Sequence, residues 1–553
     1  MPFRLDDVLL MLWAKTHSLA DVFNPASGQL INSFRPAFSL TALILSRFAG
    51  WSHPFWWHMT LDLSLLIGIA FVGLTARYII QRWYVLEISV LLYFLAFLPI
   101  LNIFFWYSDL TFGLELAFSA SAWYFGLRGL YEARIRFWLM SMLVASIAVL
   151  SKEPAFVLIH VVFLGSFLIE RHEIISRWKS LPNSQKNIAL AAYLILVAIT
   201  IWLALVTPTS GNRFFPLSSP DLAQFVRDRI DYYSSIYLSI VARVLLFLPV
   251  VYSFLRTLVK RRKRQFGTLQ FIIITLLGGG ISIVCFQNIL VGLPLIGFIF
   301  LTLSSLDGSE RIAIRRLLPF LACLFIAMTA LLFTIQLVKT QLTEAALLTA
   351  ILSSWAWSVW IEDFRKCSSS FKNRMAMKWI FIAIGTAETI AFVKFGLPKV
   401  EHQELMLREV RDVRSNANEA IQWVAKNIPQ ESLFAVGEYS LHGIDGPGEL
   451  TPKSDETKLR EQYTFAGGFV YDALSVLGRT DLRRTYLADS IILPRVLDAM
   501  RGERNSYVLL QSEPDLDLFH GIGRNHPLLR QNDTLVAEFN RGPYPCEIWM
   551  LRK

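Results

Sequence analysis

A series of apolar runs, each about as long as a bilayer is thick, limits the fold of this chain more than any other feature. A helix needs about 20 largely apolar residues to cross the hydrocarbon layer. Windows of that kind centre on residues 58 to 80, 84 to 105, 110 to 127, 136 to 151, 154 to 170, 187 to 206, 236 to 257, 267 to 289, 290 to 306, 317 to 337, 344 to 361 and 378 to 397. They predict a polytopic α-helical membrane protein of about twelve spans. Of 553 residues 54% are hydrophobic and 17% charged, whereas a soluble domain carries about a quarter of its residues charged. Mean hydropathy is +0.46. Water is therefore not the main solvent, and 41 Phe with 16 Trp suit a bundle with aromatic belts at both interfaces.

The net charge of +10 would suggest nucleic acid if it lay on one soluble face. Instead it sits in alternate short loops: Arg77 and Arg82; Arg128, Arg134 and Arg136; Arg171, Arg177 and Lys179; Lys260 to Arg264; Arg311, Arg315 and Arg316; and Arg365, Lys366, Lys372 and Arg374. By the positive-inside rule those loops belong in the cytoplasm. The loops around Asp109, Lys152-Glu153 and 207 to 235, the first 57 residues and everything after 397 then face outward. An even number of spans with both ends outside is awkward without a signal, so one upstream helix is expected to precede this sequence, making about thirteen spans. Cys285, Cys323, Cys367 and Cys546 are scattered and give neither a disulfide framework nor metal spacing.

Three regions follow: 1–57, a first extracytoplasmic loop with an acidic pair and interfacial helices; 58–397, the bundle; and 398–553, a small extracytoplasmic α/β domain. In the last, residues 401 to 427 read as a helix. Stretches beginning at Ser432, Ser506, Thr534 and Glu547 read as strands, the final two pairing through a Gly-Pro turn. No phosphate loop or catalytic His motif is visible there.

Charged groups near lipid are costly, so those at the outer mouth of the bundle are the functional candidates. They are Asp6 and Asp7; Phe34-Arg35-Pro36; His53 and His58 flanking Trp56-Trp57; Trp106 to Asp109; Ser151-Lys152-Glu153-Pro154; and, in a longer loop, Arg213, Asp221, Arg227, Asp228, Arg229 and Asp231. Transfer from a lipid phosphate donor would use a carboxylate to take a proton from the acceptor and cations to stabilise the departing phosphate. Asp7 or Asp6 is the candidate base, Arg35 and Lys152 the phosphate partners, and Asp109, Glu153 and His58 the supporting groups. Asp7 and Asp109 would suit a bridging Mg²⁺ or Mn²⁺. Each has a plainer reading. The acidic pair heads a helix-like run from Val8 to Phe23 and would favour its N-terminus. Arg35 would snorkel, Lys152 and Glu153 would pair, and His58 would anchor at the interface. Asp62, Glu115, His160 and Arg243 read as interhelical polar contacts.

In order along the chain, the acidic pair heading a helix, the aromatic-Arg-Pro step, the Trp57-His58 entry to a span, Trp106-Tyr-Ser-Asp109 and the Ser-Lys-Glu-Pro corner resemble the GT-C superfamily. Its members are multi-pass glycosyltransferases that use polyprenyl-phosphate-linked sugars. The pattern is similar to the group related to protein O-mannosyltransferases and covers roughly residues 1 to 180. The resemblance implies a GT-C-like bundle with an exterior domain. It also implies a polyprenyl-phosphate sugar as donor, a lipid, glycan or protein acceptor, and Asp7 (or Asp6) as the catalytic carboxylate. A multi-pass protein of a bacterial inner or plasma membrane is expected. The rival readings are a polysaccharide polymerase or ligase and a lipid-linked sugar transporter. Against the latter, paired Gly/Pro-broken spans in equivalent halves are not seen.

Overall fold

The computed structural model describes residues 5–25, 34–50, 53–97, 110–206, 221–234, 240–261, 267–285, 299, 311–333, 343–367, 415–437, 473–487, 493–511, 529, 531–540 and 546–552. The chain is mostly helical. The elements before the bundle are α1 (Leu5–Thr16), α2 (Leu19–Val22) and α3 (Pro36–Phe48). Then come α4 (Pro54–Ile80), α5 (Val85–Phe97), α6 (Leu110–Glu132), α7 (Ile135–Ser151), α8 (Pro154–Ile169), α9 (Arg171–Lys179), α10 (Asn183–Val206) and α11 (Leu222–Ser234). The bundle continues with α12 (Ile240–Arg261), α13 (Thr268–Cys285), α14 (Arg311–Phe333) and α15 (Thr343–Cys367).

Helices lie on most of the expected windows; 378 to 397 and nearly all of 290 to 306 lie outside the described residues. Among the described residues, three helices are long and apolar enough to cross a bilayer unaided: Phe55–Ile80, Asn183–Val206 and Ile312–Ala330. A fourth arises only if α8 and α9 count as one across an 86° bend. The expected dozen spans are thus not confirmed beyond these among the described residues. The stretches Ile135–Ser151, Leu246–Val259 and Thr268–Val284 are apolar but shorter.

The outer surface is compatible with lipid as solvent. Leu194, Ile195 and Leu205 of α10 are 56%, 60% and 80% exposed, an apolar face too large for water. Inside, small residues let helices close up, as expected where no hydrophobic force separates helix from lipid. A Cβ on Gly68 of α4 would come within 2.6 Å of the Leu116 side chain of α6. One on Gly129 of α6 would stand 2.8 Å from the backbone nitrogen of Trp138 on α7. Buried polar groups pair between helices: Ser89 with Ser354 at 2.7 Å, and the Trp360 indole donating to Thr275 at 3.2 Å.

The run from Val8 to Phe23 is two helices rather than one. His17 Nδ1 lies 2.8 Å from the Trp13 carbonyl, and Ser18 restarts the chain as an N-cap whose N–H and hydroxyl both donate to Asp21 at 2.7 Å. These bonds favour local closure over continuation.

In the C-terminal domain five strands form one mixed sheet: β1 (Leu433–Gly437), β2 (Arg483–Leu487), β3 (Ser506–Gln511), β4 (Thr534–Phe539) and β5 (Cys546–Leu551), in the order β2-β1-β3-β5-β4. β1 runs parallel to β2 and β3, while β5 is antiparallel to β3 and β4. The β4–β5 pairing is the one expected; its turn lies outside the described residues. Period-two alternation gives the sheet two buried faces. Phe434, Tyr507, Leu509 and Ile548 join the core that contains Ala417, Ala420, Ile421 and Val424 of α16 (415–427). Ala435, Val508, Leu510, Trp549 and Leu551 pack with Leu497 and Met500 of α17 (Leu493–Arg501). Arg479 closes the C-terminal end of α16, donating to the carbonyls of Val424, Ala425, Ile428 and Pro429 at 3.1, 3.1, 2.9 and 3.1 Å. A cation there meets the negative end of the helix dipole.

The two parts of the chain touch. Lys15, in the last turn of α1, donates to the carbonyls of Val476 and Ser475 at 2.7 and 3.2 Å. The first helix and the last domain are therefore neighbours.

Candidate functional site

Three helix ends meet at one end of the bundle. α7 stops at Ser151 and α8 starts at Pro154. Proline is tolerated in the first helical turn, and Glu153 directly before it keeps helical angles, with φ −61° and ψ −38°. Lys152 is the extended residue at that corner, with φ −164° and ψ 148°, and its N–H closes α7 on Ala148 at 3.2 Å. α3 begins with Arg35 directly before Pro36 and outside the helical region, at φ −131° and ψ 78°. α6 supplies the third end with its first turns from Leu110.

The side chains of these ends form two charged pairs. Arg35 Nη2 donates to Glu153 at 2.9 and 3.3 Å, and both side chains are partly exposed. Lys152 is buried: its ammonium lies 3.9 Å from the Glu115 carboxylate and 3.1 Å from the centre of the Phe112 ring. Glu115, read from sequence only as an interhelical contact, is thus the acid facing Lys152. A lone carboxylate inside an apolar run is the signal that marks it. Phe112 carries no comparable signal, since one more Phe in such a run looks like lipid-facing bulk. Phe34, buried beside Arg35, sets its ring edge-on to Trp202 of α10 at 5.6 Å.

Arg35, Lys152 and Glu153 are therefore brought together. Asp6 and Asp7 lie in the first turn of α1, which packs on α3, and α3 in turn packs on α6 and α7. The side chains of Asp6 and Asp7, and the whole segment with Trp106 and Asp109, lie outside the described residues. His58 is half-buried in the first turns of α4, next to the fully buried Trp57. Among the described residues, no three His, Cys, Asp or Glu side chains gather as a metal shell. Asp7 and Asp109, the expected metal ligands, are not among the side chains described.

No protein-family model matches the chain, and no curated protein matches it. The site has to be read from its own chemistry.

Arg35 spends Nη2 on Glu153, and its buried Nε has no acceptor among the described residues. A guanidinium carries five donors in a planar fork, so it retains a bonding edge suited to phosphate. Lys152, held against a ring face, is a second positive centre that a nearby anion would feel in a medium of low dielectric. The other polar groups inside the bundle tie helices together. His160 of α8 bonds to Tyr193 and Thr200 of α10 at 3.2 and 3.0 Å, and Arg243 donates to the Ile283 carbonyl at 3.0 Å. Asp62 lies on the exposed face of α4.

The opposite end of the bundle has a different character. Arg316 pairs with Glu170 at 3.1 Å, Arg82 with Glu362, and Arg256 with Asp363, which also accepts from Tyr252 at 2.9 Å. Basic residues outnumber acids there, and exposed Arg134, Arg136, Arg171 and Lys179 surround it.

Proposed function

We propose that this chain is a membrane glycosyltransferase that moves one sugar from a polyprenyl-phosphate carrier to an acceptor at the extracytoplasmic face. The observation that carries the reading is the meeting of Arg35 and Lys152 at one end of an apolar bundle, on the helix ends next to α1. The prenyl tail would lie along the bundle and its phosphate against the free edge of Arg35, within the field of Lys152. Asp7, or Asp6, takes the proton of the acceptor group. The acceptor oxygen or nitrogen then bonds to the anomeric carbon as the bond from that carbon to the phosphate oxygen breaks, and the two cations stabilise the charge left on the phosphate. The C-terminal domain, held beside α1 by Lys15, is placed to select the acceptor. The positive-inside rule supports the orientation, because the opposite end of the bundle carries the excess of Arg and Lys.

One observation favours a purely structural reading: Arg35 and Lys152 already face the carboxylates of Glu153 and Glu115. Proteoliposomes given a labelled polyprenyl-phosphate sugar separate the two readings. Asp7→Asn is expected to lose about 10² to 10⁴ in transfer rate while inserting normally, and Arg35→Gln to weaken donor binding. Near-normal transfer by both Asp6→Asn and Asp7→Asn would refute the assignment of the base. Unchanged donor binding in Arg35→Gln would leave Arg35 a structural tie.

A further inference from the structure

The α8–α9 junction is independent of the site above. α8 lies on one of the apolar windows that the sequence predicts to cross the membrane, and α9 leaves it at 86°. A helix that turns through a near right angle at the end of a span lies in the plane of the bilayer surface. The turn is fixed from inside, because Glu170 at the bend pairs with the buried Arg316 of α14 at 3.1 Å. α9 is also seated on the last turn of α6. Ile174 is buried, the Trp178 indole donates to the Leu130 carbonyl at 2.9 Å, and Arg177 donates to the Tyr131 carbonyl.

Around the helix from this seated side runs a second row, Arg171, Ile175 and Lys179, spaced four residues apart and therefore stacked on one face. All three are exposed, Ile175 by 41%. Arg134 and Arg136, at the start of α7 just beyond the α6 turn that α9 rests on, are exposed as well. The lone acid of α9, Glu173, is taken up by Arg177 of the same helix. Glu132, at the end of α6, is shared by Arg128 and Arg134 at 2.9 and 3.2 Å, and what remains is a cation, an apolar side chain and a second cation in a row, flanked by Arg136 and the exposed edge of Arg134. A surface meant for water has no use for the isoleucine. A layer of anionic headgroups over hydrocarbon accepts all of it.

We propose that α9 and the α6–α7 turn form a docking surface for anionic phospholipid in the leaflet at the basic end of the bundle. The lipid phosphates meet Arg171, Lys179, Arg134 and Arg136, while Ile175 enters the acyl boundary.

The test uses the full-length protein in mild detergent, titrated with phosphatidylglycerol or phosphatidylcholine, with bound lipids counted by native mass spectrometry. The expected result is a preference of about tenfold for phosphatidylglycerol, reduced to about threefold in the Arg171→Gln/Lys179→Gln variant and, separately, in Arg134→Gln/Arg136→Gln. All four side chains are exposed, and unfolding temperatures in phosphatidylcholine are expected to match the unaltered protein. Equal binding of the two lipids would overturn the proposal, as would full retention of the preference in both variants. Displacement of the bound lipid by millimolar glycerol 3-phosphate would also overturn it, by showing a site for free phosphate rather than for a bilayer surface.

Discussion

At the scale of single residues, Lys152 and Glu115 matter most, because both are buried with their charged groups 3.9 Å apart. Losing one partner of a buried pair costs about 3–5 kcal/mol, whereas replacing both by neutral groups of similar size is often nearly neutral. Lys152→Met and Glu115→Gln are each expected to lower stability by that amount, and the double variant to recover most of it. Thermal unfolding in detergent measures all three. Asp481 makes a second case. Its carboxylate accepts from the Arg479 guanidinium at 2.8 and 3.0 Å, which holds it down from 3.8 to about 2. A carboxylate depressed by folding stabilises the folded state above its unfolded value and loses that effect as pH falls through the folded value. The stability gap between the unaltered protein and Asp481→Asn should therefore be constant down to about pH 4 and close between about pH 4 and 2. Thermal unfolding measured across that pH range tests it. The candidates differed in how far the sequence revealed them. Lys152 and Arg35 were visible because charge beside a proline at the edge of an apolar run is unusual. Phe112 was not, since its role depends on which side chain folds over its ring.

At the scale of elements, close helix approach depends on individual glycines. A methyl group at Gly129 would meet the backbone of Trp138, which cannot rotate away, so Gly129→Ala should force α6 and α7 apart at about 1–3 kcal/mol. Gly280, in α13, has nothing within 4 Å of an added Cβ. There the same change should be neutral or stabilise by up to about 1 kcal/mol through helix propensity. Thermal unfolding of the two variants side by side distinguishes packing from propensity. Elements were legible in proportion to their apolar periodicity. Long helices and the strands β1, β3, β4 and β5 follow from it. β2 escaped because it begins Arg483-Arg484 at the edge of the sheet, where Arg483 is exposed and pairs with Glu503 at 3.0 Å. Charge on an edge strand guards against pairing with another chain, and the same charge hides the strand from a reading by hydrophobicity. α9 escaped similarly: its Arg, His and Lys look like a loop until Ile174 and Trp178 are seen against α6.

For the molecule as a whole, the bond from Lys15 to the C-terminal domain sets a rule of sidedness. Single cysteines placed at positions 15 and 475 should react with a membrane-impermeant maleimide from one side, and cysteines at 134 and 179 only from the other. Labelling of positions 15 and 179 from the same side would contradict the reading of the bundle as crossing a bilayer with its two ends apart. The apolar windows anticipated a mostly helical chain with long apolar helices and a small C-terminal sheet after them. They could not show that the N-terminal helix and the C-terminal domain meet, because a lysine bonding to backbone carbonyls leaves no pattern in the residues it meets.

The position of β5 carries a consequence in time. It is the last strand of the chain, yet it lies inside the sheet between β3 and β4. β3 can pair with β1 beforehand, but β4 must wait for β5. At about 5–20 residues per second, the ribosome delivers that strand about half a minute to two minutes after α1. Until then β3 presents an unpaired edge, and synthesis that stops before β5 leaves that edge open to pairing with another chain.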